Sequence, residues 1–278
     1  MDDLTIDLLA SMIWAIVGVI GAFLARWIWI VQPSKRLWNL FKPENVTLVA
    51  ATTHKELTPE GYERLSTGLG EFRALNLITA SLNLAYRNIK IQNILLSNET
   101  VQDRIENDLV LLGGPVKNRL TKAFLESEQI EALNIAHLDR AGIHWRANGA
   151  QEDFQAEIED SKVVHDYGLI ISTANPLCEN GTRSFMFAGC HTYGTVAAAK
   201  YFTTDYLRIA DKFGKVPSPL FIVVKCDVRD EYPVNIRCWR IYPQHKRACK
   251  GSTLPGRALA RPTAATATSL DVAGERAI

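Results

Sequence analysis

Three glycine-bearing turns hold the residue types that could do chemistry. Gly113-Gly114-Pro115-Val116-Lys117-Asn118 follows an apolar run that ends at Leu112. Gly189-Cys190-His191-Thr192-Tyr193-Gly194-Thr195 follows the apolar run 184–188. Thr67-Gly68-Leu69-Gly70-Glu71 opens a long helical pattern. Paired glycines let a backbone approach a ligand closely, and a helix beginning beside them offers free N–H groups to an anion. The expectation is a shared ligand site built from Gly68, Gly70, Gly113, Gly114, Asn118, Asp166, Gly189, His191, Tyr193, Gly194 and Thr195. Within it Glu71 and His191 are the catalytic candidates, Glu71 to activate water or stabilise a developing cation and His191 as general acid or base. Each has a plainer reading: Glu71 as a first-turn acid favoured by the helix dipole, His191 as a loop hydrogen-bonder.

Other chemistries find little support. Cys190 lies beside His191, but no third group is identifiable to orient a thiol–imidazole pair. No CxxC or paired-histidine spacing suggests a metal site, so none is expected. The five cysteines, Cys178, Cys190, Cys226, Cys238 and Cys249, are odd in number and lack a disulfide framework, which suits reduced cytosolic thiols. The sequons at Asn45, Asn98 and Asn180 would matter only in a secretory lumen.

Residues 8–31 decide where any such site would work. They are apolar apart from Ser11 and Arg26, and as a helix they would be roughly 36 Å long, enough to cross a hydrocarbon core of about 30 Å. Asp2, Asp3 and Asp7 precede them, whereas Arg26, Lys35, Arg36 and Lys42 follow with no acid before Glu44. Basic residues favour the cytoplasmic side, so the expectation is a single-pass anchor in the plasma (inner) membrane, N-terminus outside and body cytoplasmic. Trp27, Trp29 and Trp38 fit an interfacial aromatic belt. A cleaved signal peptide is the rival, though it calls for a basic start and a shorter apolar core. Ser11, Ala15, Gly18, Ala22 and Ala25 form one small-residue stripe, which allows close helix–helix approach in lipid and makes a homo-oligomer the expected partner arrangement.

Four segments follow: the anchor over 1–32, a basic and aromatic juxtamembrane linker over 33–43, an α/β domain over 44–245, and a tail over 246–278. The formal net charge of +1 divides into +4 for the tail and −3 for the remainder, so no basic footprint for nucleic acid is present on the domain. The tail is poor in large apolar residues and reads as disordered. In the domain, apolar runs at 46–51, 89–96, 108–112, 184–188, 219–224 and 235–242 alternate with helical patterns at 68–86, 118–125 and 195–207. A β-meander inserted at, or forming, the sheet edge is expected around His144-Trp145, 154–158 and 167–172, with turn signals such as Asn148-Gly149. Strand–helix–strand order predicts a mainly parallel, doubly wound sheet with a small meander insertion, behind one transmembrane helix.

On that architecture alone, over about residues 46–242, the chain resembles Rossmann-like nucleotide-binding domains; neither GxGxxG nor Walker A is present. The resemblance implies a pocket at the carboxyl ends of the strands and a small nucleotide-like ligand. The functional expectation is a membrane-anchored cytosolic sensor or effector, in which the ligand controls oligomerisation or membrane action. The alternative is a membrane-tethered enzyme acting on an N-glycosidic or phosphoester bond through Glu71 or His191. A pure scaffold is the third possibility.

Overall fold

The computed structural model of the chain describes residues 3–40, 43–52, 54–57, 63–86, 93–97, 104–205, 207 and 216–243, with side chains described from residue 11 onward, apart from those of 54–57, 63–65 and 148. The tail at 246–278 and the first part of the 89–96 run lie outside the described residues.

The apolar segment is helix α1 (Asp3–Arg26), and every residue from Ser11 to Ile30 is exposed. It is long and apolar enough to cross a membrane, a test that signal sequences also pass. The helix does not stop at Arg26. A π-helical turn (Trp27–Val31) carries it past Pro33 into α2 (Gln32–Trp38). Proline lacks the N–H that an α-helix needs and its ring crowds the preceding turn, and a local π adjustment relieves both. Ser34 Oγ donates to the Ile30 carbonyl at 2.9 Å.

Residues 33–38 are therefore helix, and their inner face is core. Ser34, Leu37 and Trp38 are buried, and the Trp38 ring meets Phe185, Phe202 and Phe187 edge-on at 5.0, 5.2 and 6.2 Å between centroids. Its indole N–H donates to Ser81 Oγ at 3.0 Å. Trp38 is thus a core residue, whereas Trp27 and Trp29 remain exposed beside the span. Asn39, in the left-handed region (φ 42°), ends α2 with its N–H bonded to the Lys35 carbonyl.

The body then runs β1 (Thr47–Ala50), β2 (His54–Leu57), β3 (Glu63–Ser66), α3 (Leu69–Tyr86), β4 (Ile94–Leu96), β5 (Leu109–Leu112), α4 (Arg119–Leu125) and α5 (Glu128–Leu133). A small antiparallel sheet of β6 (Ala136–Leu138), β7 (Ile143–Trp145) and β8 (Glu152–Phe154) follows. It realises the expected meander only around His144-Trp145 and Phe154; the run 167–172, expected in the same meander at the sheet edge, lies instead in the middle of the central sheet, where its buried residues have neighbouring strands on both sides. The chain continues through β9 (Glu157–Glu159), β10 (Lys162–Ala174), β11 (Arg183–Gly189), α6 (Thr192–Lys200), β12 (Leu220–Arg229) and β13 (Tyr232–Tyr242).

The central sheet has eight strands in the order β13-β12-β10-β11-β5-β1-β4, with β9 paired to β10. It is mixed, which corrects the expectation of a mainly parallel doubly wound sheet. β4, β1, β5 and β11 are parallel, but β10 is antiparallel to β11 and β12, and β12 to β13. The physical reason lies in the connections. A parallel pair needs a crossover of a dozen or more residues, and only eight join β10 to β11. Asp230 and Glu231, both at positive φ (49° and 57°), form the two-residue turn that folds β13 back on β12.

Alternation along the strands splits the core into two layers. Leu48, Val110, Leu112, Phe185, Phe187 and Ile222 face α2, α3 and α6; Val49, Leu109, Leu111, Met186 and Val223 face the meander and α4.

Replacing Trp38 by alanine should cost about 3–5 kcal/mol, the range for deleting a buried aromatic. Thermal unfolding of the full chain in detergent should show it as a large drop in Tm. A loss no greater than that of Trp29→Ala would show that Trp38 is not core.

Candidate functional site

Parallel strands β1, β5 and β11 bring their carboxyl ends to one rim, and the three glycine turns meet there. Thr67 Oγ1 donates to the Ala51 carbonyl at 2.8 Å, tying the start of α3 to the end of β1. Gly70 packs so tightly on Thr192 that a Cβ would collide with its side chain, so α3 and α6 begin side by side. Gly113, at φ 89°, sits against Ala51 and the Glu71 carboxylate, and its N–H extends the sheet to the Phe187 carbonyl at 2.9 Å. Burial pushes the Glu71 carboxyl above its ordinary value, opposed by its own backbone N–H and by Lys117.

Several of the named residues are consumed by structure. Asn118 is buried and uses its whole amide: Nδ2 donates to the Val49 and Leu112 carbonyls, while Oδ1 accepts from the N–H groups of Leu120 and Thr121, capping α4. Gly189 and Gly194 permit backbone-to-backbone contact where β10, β11 and α6 converge, Gly194 lying against the Tyr167 carbonyl. Thr195 is buried and Tyr193 packs against the core layer of α3. His191 is exposed and occupies the N-cap position of α6, yet its side chain makes no capping bond.

That cap comes from elsewhere. Asp166, wholly buried in β10, reaches under α6: Oδ1 accepts from Tyr167 N–H at 2.8 Å and His191 N–H at 3.2 Å, and Oδ2 accepts from Gly194 N–H at 2.5 Å. The carboxylate occupies the position at the helix N-terminus that an anionic ligand group would take. Burial pushes its pKa up to about 6, although the three N–H groups and His191 pull the other way. The nearby thiols of Cys190 and Cys226 are pushed up to about 12, chiefly by burial and then by Asp166, so both are protonated at neutral pH and are poor nucleophiles.

Two clusters escaped the sequence reading. His144 lies between two carboxylates, Nδ1 at 2.7 Å from Asp153 Oδ1 and Nε2 at 3.2 Å from Asp139 Oδ1, which raise its pKa, Asp153 most. His144 and Asp153 are cross-strand partners on β7 and β8, so recognising that hairpin's register would have found them. The second is Arg183, a buried guanidinium at the start of β11. No group of three or more His, Cys, Asp or Glu side chains among the described residues is arranged to hold a metal ion. Cavities of about 550, 430 and 420 Å3 lie away from the rim, beside the π turn and α2, beneath the small sheet and next to Arg183.

A family model described as S-layer like family, outer domain, matches residues 49–205, more than half the chain. No curated protein matches the chain. The match overturns the resemblance to Rossmann-like nucleotide-binding domains: the family is a different one, and the mixed sheet agrees with that correction. The matched span includes the whole glycine rim and stops before β12 and β13.

Asp166 gives a pH signature. Its folded carboxyl is raised above the ordinary 3.8, so the folded state holds this proton more tightly than the unfolded chain. Its contribution to stability is full below about pH 4 and is lost as pH rises through the folded value. Asp166→Asn should lose that dependence, and by turning an N–H towards Gly194 it should cost about 1–3 kcal/mol. Denaturant unfolding between pH 4 and 7 checks both: the gap between wild type and variant should shrink as pH rises, and a constant gap would contradict the assignment.

Proposed function

The chain belongs to the S-layer like family, outer domain, and from that premise we propose that it is a membrane-anchored module that works as one of several associated copies at a membrane surface. The observation that carries this reading is the unbroken helix from Asp3 to Trp38, exposed along its apolar length and buried in the domain core at its end. Such a joint fixes the attitude of each domain to the membrane, which suits lateral association of identical copies. Ser11, Ala15, Gly18, Ala22 and Ala25 provide the face for it, since a Cβ added at Gly18 would meet nothing within the chain itself.

Two observations bear on which side the body occupies. Arg26, Lys35 and Arg36 directly follow the span and favour the cytoplasmic face, where we place it. The family's description as an outer domain favours the opposite face.

A ligand-responsive role is the second reading, and α3 is what favours it. Its first turn carries Glu71 beneath Gly113 at the rim, and Ser81 further along it receives the Trp38 indole bond. Tyr86, at its end, donates to the Lys35 carbonyl at 3.3 Å and accepts from Leu40 N–H at 3.2 Å. A small ligand displacing Glu71 would act on the membrane helix through one rigid element. Turnover at this rim would require Glu71 or His191.

Crosslinking of the full chain in membranes should trap oligomers, and Gly18→Ile should remove most of them. Unchanged oligomers would exclude the stripe. Protease added outside intact cells should leave the body uncut; digestion would assign it to the outer face.

A further inference from the structure

Arg183 is only 7% exposed, yet its guanidinium has one hydrogen-bond partner among the described residues: Nη2 donates to Ser172 Oγ at 2.8 Å. The group lies over the Phe185 ring at 5.2 Å. No carboxylate among the described residues forms an ion pair with it. The nearby Asp108 spends Oδ1 on the backbone N–H of Arg183, at 2.7 Å. Burial pulls the Arg183 pKa down, and Asp108 and Tyr86 oppose it only in part. A buried charge without an ion-pair partner is costly, and a guanidinium offers five N–H donors in a planar fork.

Arg183 borders a cavity of about 420 Å3, lined also by Asn39, Ala174, Gly181, Val216, Pro217 and Ser218. That volume is in the range of small-ligand sites, about 300–1,000 Å3. Planar guanidinium geometry matches two oxygens of a phosphate, and two further lining residues, Asn39 and Ser218, carry neutral donors. Asn39 caps α2 directly after Trp38, so an occupant touches the joint between membrane helix and sheet. The seven helical residues between Val31 and Asn39 set Asn39 about 12 Å along the axis beyond the apolar span.

We propose that Arg183 and the cavity it borders form a binding site for a phosphate group at the joint between the membrane helix and the domain. The group can come from a lipid headgroup or from a soluble phosphate, and the same contacts serve both.

Ala174 provides the decisive variant, because it is the exposed cross-strand partner of Arg183. Ala174→Glu sets a carboxylate opposite the guanidinium as a built-in substitute. The full chain is placed in phosphatidylcholine nanodiscs and titrated with inorganic phosphate at constant ionic strength, and in a second arm it is placed in nanodiscs containing phosphatidic acid without added phosphate. At least one arm should raise the wild-type Tm by about 5–10 °C near saturation. The arm that responds names the source. Ala174→Glu should start with a higher Tm and lose the response, and Arg183→Gln should also lose it. The site is overturned if neither probe shifts the wild type, or if Ala174→Glu responds as the wild type does. Should Arg183→Gln fail to fold, Ala174→Glu alone decides.

Discussion

Everything in this architecture depends on one side chain crossing from the N-terminal apolar helix into the sheet. The Trp38 ring packs edge-on against Phe185 and Phe187 of the sheet and Phe202 after α6, and its indole bond reaches Ser81 of α3. An aromatic of this size, fully buried, makes dispersion contacts on all sides and excludes water from the indole hydrogen bond. Leu37 and Ser34 extend the same contact along the helix. Without that plug the apolar helix would be a flexible tether. With it, helix and domain share a core.

The rim shows how the fold settles the competing demands of packing and chemistry. Glycine turns at strand ends resemble ligand cradles, but here much of the freedom they offer goes to bringing α3, α6 and β10 into backbone contact. Asp166 completes the arrangement by supplying from the sheet the capping carboxylate that α6 lacks locally. Glu71 is the rim group with charge left to use: half-buried, beside Gly113, with Lys117 influencing it from the neighbouring turn. The counter-case is Arg183, a charge without an ion-pair partner among the described residues, at the opposite end of β11 from the glycine turns.

How much of this was legible in the sequence depended on range. The apolar helix, the edges of α3, the strand at 109–112 and the short strand around His144-Trp145 follow from local periodicity and turn chemistry, which neighbouring residues determine. Trp38 read as a belt residue because its partners lie about 150 residues downstream. The mixed sheet was visible in one place: no helical pattern separates the strand at 167–172 from that at 184–188, and that short spacing forbids a parallel crossover. Asp166 could not be recognised as the cap of α6, since a cap donated across a sheet leaves no signal at the helix itself. Asn118, by contrast, stands directly before the helix it caps, so its role as a cap rather than as a ligand group was a local signal.

The central claim, that the N-terminal apolar helix and the sheet form one rigid body through Trp38, is tested most directly by hydrogen exchange of the full chain in a lipid bilayer. The amides of Leu37 and Trp38, beyond the reach of the hydrocarbon core, should exchange as slowly as those of Leu111 and Phe187 in the central strands. Exchange at those two positions on the timescale of an unstructured linker would contradict the account.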